Sequence, residues 1–108
     1  MTFTAELCHD DRTAVLTLTG DLDTPSALVF QDEMQRAING QPDRLVLDLT
    51  ALRHLTSAAV RVLVVARQKL ADEVPIILVG MQAGVETTLR LIGIDRSLVF
   101  SDERPGDR

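Results

Sequence analysis

The run RLVLD at 44–48 limits the possible folds of this chain more than any other segment. It is short, aliphatic and does not alternate. Such a run reads as a strand apolar on both faces, the kind found inside a parallel sheet covered by helices. Residues 49–55 then read as a turn region. The next segment is apolar from 58 to 66 except at Arg61, and it is rich in valine. Periodicity alone leaves it ambiguous between strand and helix. Its length, about 56 to 71, favours a helix, because strands seldom exceed about ten residues.

The flanks follow the same alternation of elements. Residues 2–9 and 13–19 have a period of two, and His9-Asp10-Asp11-Arg12 supplies turn chemistry between them, so a hairpin is expected. Gly20 is expected to end the second strand. Thr24 followed by Pro25 reads as a helix start: a hydroxyl N-cap, then a residue whose missing amide has no role in the first turn. Ala27, Phe30, Met34, Ala37 and Ile38 recur at helical spacing until Gly40 and Pro42 stop the helix. A strand over 74–79 comes next. It is followed by a helix over 81–92 bearing Val85, Leu89 and Ile92, closed by Gly93. A short strand at 98–100 and a polar, frayed tail complete the chain.

The order β-β-α-β-α-β-α-(β) predicts an α/β fold with a mostly parallel central sheet of four to five strands. The sheet has an antiparallel N-terminal hairpin, and the helices pack against it. At 108 residues there is material for one core and not two. A single domain over 1–108 is expected, with its core at about 4–102 and a flexible tail at 103–108.

Composition narrows the function classes. The net charge is -5, and there is no Trp, no Tyr and only three Phe. Phosphate contacts need clustered Lys and Arg, and single-stranded nucleic acid needs aromatic platforms, so no nucleic-acid partner is expected. Acidity also argues against an anionic membrane surface. No apolar run approaches the roughly 20 residues of a span, and the N-terminus lacks a signal core, so the expected compartment is the cytoplasm. Cys8 is the single cysteine, which leaves no internal disulfide and no multi-cysteine metal site. His9 and His54 lack zinc spacing and are expected to be solvated. No glycine-rich phosphate loop and no G-x-S-x-G elbow is present. Neither a metal nor a cofactor is expected.

Two loops remain where the strands of a parallel sheet end and sites usually form. One is GDLDTPSA at 20–27. The other runs from DLT at 48–50 to LTSAAV at 55–60. Here the chain resembles the STAS domain of bacterial anti-sigma-factor antagonists. LTLTGDLDTPSA matches that family's strand, its G-[DE]-[LIV]-D turn and a small-residue helix start. RLVLDLTALRHLTSAAVRVLVVA matches a V-V-L-D-[LM]-[ST] strand, a spacer and a D-[ST]-[ST]-G-[LV] helix start. VETTLRLIGIDRSLVFSDE resembles the closing helix, turn and strand. The central motif departs from the pattern: Thr56 replaces its acid, Ala59 its glycine, and Arg61 a small residue one turn into the helix.

The resemblance implies a protein without catalysis of its own, a monomer or weak dimer. It would bind an anti-sigma factor of the serine-kinase type and release a sigma factor. Ser57 falls on the serine that such proteins offer to the kinase, with Thr56 as a rival acceptor, and a serine phosphatase would reset the switch. The implied partner surface comprises Asp21, Asp23, Thr24, Thr56, Ser57, Ala58 and Arg61. For Asp21 and Asp23 a turn-forming role stands beside the docking role. For Arg61 solvation stands beside a charge-assisted contact to a phosphate on Ser57. An unphosphorylated STAS scaffold or transporter-accessory subunit is the alternative. A small-ligand binder using the same loops is weaker still, for want of a phosphate cradle.

Overall fold

The structure, a computed structural model, describes residues 2–92 and 98–101. Strand β1 (Thr4–Asp10) pairs antiparallel with β2 (Thr13–Leu22) through a two-residue turn. Asp11 takes the left-handed conformation there (φ 58°), which aspartate tolerates in tight turns. The elements α1 (Ala27–Asn39), β3 (Arg44–Leu55), α2 (Ser57–Lys69), β4 (Ile76–Val79), α3 (Ala83–Ile92) and β5 (Val99–Ser101) follow. The five strands lie in the order β1-β2-β3-β4-β5, parallel from β2 onward. Each parallel pair is joined by one helix. With the right-handed crossover that such units adopt, the three helices lie on one face of the sheet.

That face holds the core. Ala14, Leu16 and Leu18 of β2, Leu45 and Leu47 of β3, and Ile76 and Leu78 of β4 are buried beneath Phe30 and Met34 of α1, Leu63 of α2 and Leu89 of α3. On the opposite face Val15, Val46, Ile77 and Val99 register across four strands. Val46 is only 5% exposed, so RLVLD is apolar on both faces because both are used.

The two strands that carry the loops run further than their patterns indicate. The region expected as a turn at 49–55 is strand. The register explains why. From Thr17↔Asp48 to Thr19↔Ala51, β2 advances two residues and β3 three; from Gly20↔Leu52 to Asp21↔His54, β2 advances one and β3 two. Two bulges therefore each place an extra residue on β3, and its inward set passes from Leu45, Leu47 and Leu49 to Leu52. β2, without an extra residue, keeps one parity to its end at Leu22.

Gly20 does not end β2 as expected but lies within it at φ 95°. A Cβ placed there would sit 2.5 Å from the Thr2 carbonyl oxygen, so only glycine lets the N-terminal segment pass. At the other end of α1, Gly40 stays right-handed (φ -74°) and packs against His9. The residue that reverses the chain ahead of Pro42 is Gln41, at φ 53°. The Arg12 guanidinium then grips Asp43 through Nε (2.7 Å) and Nη2 (3.1 Å), tying the hairpin to the start of β3.

Cys8 lies exposed on edge strand β1, and His9 and His54 are exposed as expected. The expected helix stop at Gly93 and the tail at 103–108 lie outside the described residues.

Candidate partner-binding site

The site begins where β2 and β3 end together. The Thr56 amide donates to the Leu22 carbonyl (3.2 Å), fixing the start of α2 to the end of β2. Leu22 is fully buried between Asp21 and Asp23, so this one bond sets the GDLD turn beside the Thr56-Ser57 helix start. Asp21 and His54 are register partners, with His54 Nε2 3.9 Å from Asp21 Oδ1. His54 is solvated, as its sequence context indicates, and also contacts an acid. Its pairing with Asp21 follows from the second bulge, which no local pattern reveals.

Asp23 has a definite structural task. Its Oδ1 accepts the Ser26 amide (2.9 Å), and the Asp23 carbonyl accepts the Ala27 amide (3.1 Å). The hydrogen bonds from Ser26, through its side chain and then its backbone, hold the Asp23 carboxyl below the usual carboxylate range. Thr24 was expected to be the N-cap of α1; the N-cap residue is instead Ser26, with no side-chain cap bond, and Asp23 holds the turn over 24–26 that leads into the helix at Ala27. The physical reason is reach. Pro25 has no amide to offer, and the carboxylate three residues before Ser26 meets that residue's N–H directly. Thr24 and Asp23 are both exposed.

At α2, Thr56 is the extended N-cap residue (φ -99°, ψ 167°), and its side chain makes no capping bond. Its Oγ1 is buried with no hydrogen-bond partner among the described residues. Ser57, the first helical residue, is exposed. No acid stands in the first turn, so the free amides and the positive end of the dipole meet no carboxylate from their own helix. Ala59 is fully buried, its methyl part of the core, so alanine in place of the family's glycine leaves the helix start intact. Arg61 is exposed one turn beyond Ser57, on the same helix face. Thr24, Ala58 and Arg61 together line one end of a groove between α1 and α2.

Of the residues singled out in the sequence, the structure gathers Thr24, Ala58 and Arg61 around that groove, with Ser57 next to Ala58. It turns Asp23 toward the α1 cap and Asp21 toward His54. The backbone tie from Thr56 to Leu22 sets an exposed serine at a helix start beside the end of β2. The STAS domain family model matches residues 4–104. The chain belongs to the STAS domain family.

The chain is also similar to a named relative and to two solved structures. The chain is 23% identical over 94 residues to the anti-sigma-F factor antagonist RsfB of Mycobacterium tuberculosis, covering 87% of this chain and 77% of RsfB. The crystal structure of an anti-sigma factor antagonist from Mycobacterium paratuberculosis matches with a TM-score of 0.87 at 22% identity, over 94% of this chain and 87% of that one. Bacillus SpoIIAA in its phosphorylated form matches with a TM-score of 0.69 at 18% identity, over 94% of this chain and 93% of that one. Among the described residues there is no cluster of His, Cys, Asp or Glu able to hold a metal. No helix among them is long and apolar enough to cross a membrane.

Proposed function

We propose that this STAS domain is an anti-sigma-factor antagonist working as a phosphorylation switch in the cytoplasm. Unmodified, it binds an anti-sigma factor of the serine-kinase type through the GDLD turn and the first turns of α2, and so frees a sigma factor. The kinase transfers the γ-phosphate of ATP to Ser57 Oγ, leaving ADP, and the modified domain lets go. A serine phosphatase restores it. The domain itself catalyses nothing.

The observation that carries this reading is the contrast between two adjacent hydroxyls. Ser57 is exposed at the N-terminus of α2, whereas the Thr56 oxygen is buried. A kinase reaches the first without disturbing the fold and the second only by unwinding the helix start. A phosphate adds about -1.5 to -2 charges and suits a helix N-terminus with free amides. Buried under a docked partner beside Asp21 and Asp23, the same charge meets like charge and desolvation. The names of RsfB and the Mycobacterium paratuberculosis protein support the reading.

The test is incubation with a recombinant serine-kinase anti-sigma factor and ATP, followed by intact mass and peptide mapping. One phosphate on Ser57 is expected, none on the Ser57→Ala variant, and much weaker kinase binding by Ser57→Asp than by Ser57→Ala. Phosphate on Thr56 would move the site by one residue. No phosphate on either, with tight binding retained, would favour the unphosphorylated scaffold.

A further inference from the structure

α1 and α2 run side by side and leave between them a groove of about 560 Å³. Each wall is one helical stripe twelve residues long, Ala27 to Ile38 on α1 and Ala58 to Lys69 on α2. At 1.5 Å per step from first residue to last, both stripes extend about 16 Å, or three turns. The apolar lining stays open to solvent: Leu28 is 67% exposed and Val65 41%. At the end away from Ser57, Lys69 Nζ donates to Gln35 Oε1 (2.6 Å), bridging the two helices.

The charge of the groove runs against that of the chain. The protein carries -5, yet the groove walls hold Arg61 and Lys69 and no carboxylate. The two cations stand eight residues apart on α2, about 12 Å along its axis. A cleft three turns long, open along one side and bounded by parallel helices, has the shape that receives the apolar ridge of a third helix. We propose that this groove docks an amphipathic helix of a partner protein whose apolar residues recur at i, i+3, i+4 and i+7, and whose flank carries two acids seven or eight residues apart. The acids meet Arg61 and Lys69, and the apolar ridge covers Leu28 and Val65. The surface adjoins Ser57 through Ala58 but does not depend on its modification.

The probe is a labelled synthetic helical peptide with leucine at those positions and glutamate on its flank, alongside a counterpart with lysine in place of glutamate. Anisotropy on the unphosphorylated full chain should show saturable binding of the glutamate peptide only. The R61E/K69E double variant should lose about tenfold or more in affinity for it and gain the lysine peptide instead. Leu28→Asp, at a surface position that leaves the core intact, should abolish binding of the glutamate peptide. Amide shift changes in the wild type should map to α1 and α2. Equal binding of the two peptides, or no binding of the glutamate peptide up to about 1 mM, would overturn the proposal. So would a monomer–dimer equilibrium abolished by Leu28→Asp, which would make the groove a contact between two copies, or saturable binding of laurate without the peptide.

Discussion

Asp23 has two roles that compete for one carboxylate: it holds the turn before α1 through the Ser26 amide, and it stands at the edge of the proposed docking surface. The turn-holding role has a signature of its own. Its folded pKa lies below the ordinary 3.8, so the folded state favours the charged form. The stability this contributes is complete above the ordinary carboxylate pKa and fades as the pH falls through the lower folded value. Asp43, held low by its hydrogen bond from Arg12, behaves in the same way. The Asp23→Asn variant should therefore lose less melting temperature than the wild type between about pH 5 and about pH 3. Thermal melts across that range check this, and identical slopes would mean that the Ser26 contacts contribute no pH dependence. The variant also separates the roles, since an amide oxygen still accepts the Ser26 amide while the charge near Ser57 is gone. The N-cap expected at Thr24 lies two residues further on, at Ser26. Serine, threonine and aspartate are all competent caps, and only the folded turn shows whose oxygen meets the Ser26 amide.

Among the elements, α1 and the first part of β2 were legible because each keeps one period, as Ala27, Phe30, Met34 and Ala37 do along α1; α2 was legible from its length and not from its period. The second half of β3 was not. The first extra residue moves its inward positions from odd to even and the second moves them back, so that Leu22 faces Leu55; a strand whose parity changes midway looks like a turn region. Those bulges pair the far end of β3 with Asp21 and Leu22, so the same irregularity that hid the element builds the site. Gly20 sits at this junction, and its role separates it sharply from other glycines. Gly20→Ala forces a side chain into a left-handed backbone and against Thr2, and should destabilise by about 1–3 kcal/mol. Gly84, in the first turn of α3, has nothing within 4 Å of a built Cβ. Gly84→Ala should stabilise by up to about 1 kcal/mol. Urea unfolding of the two variants checks both signs. A Gly20→Ala protein as stable as the wild type would mean that the N-terminal segment does not pass there.

For the whole molecule, fold and function are separable at Ser57. The resemblance pointed to that residue, but neither composition nor periodicity distinguished an exposed hydroxyl from a buried one at the helix start. That distinction depends on the Thr56–Leu22 tie, which turns one hydroxyl inward and leaves the next outside. Thr56 and Ala59 depart from the family pattern without disturbing the arrangement, because one occupies an extended cap position and the other fills the core. A negative charge at Ser57 should then act on the two properties in opposite directions. On the isolated domain, Ser57→Glu places a carboxylate at a helix N-terminus that has none. This is worth about 0.3–1 kcal/mol and should raise the melting temperature by about 2–5 °C. Against the kinase, the same carboxylate must be buried near Asp21 and Asp23, and affinity should fall by about tenfold or more. Calorimetry on the domain and titration against the kinase measure the two effects on one sample. A variant that melts well below the wild type would show that charge at this position weakens the helix. Loss of binding would then report damage to the fold, and the case for Ser57 as a switch would fall with it.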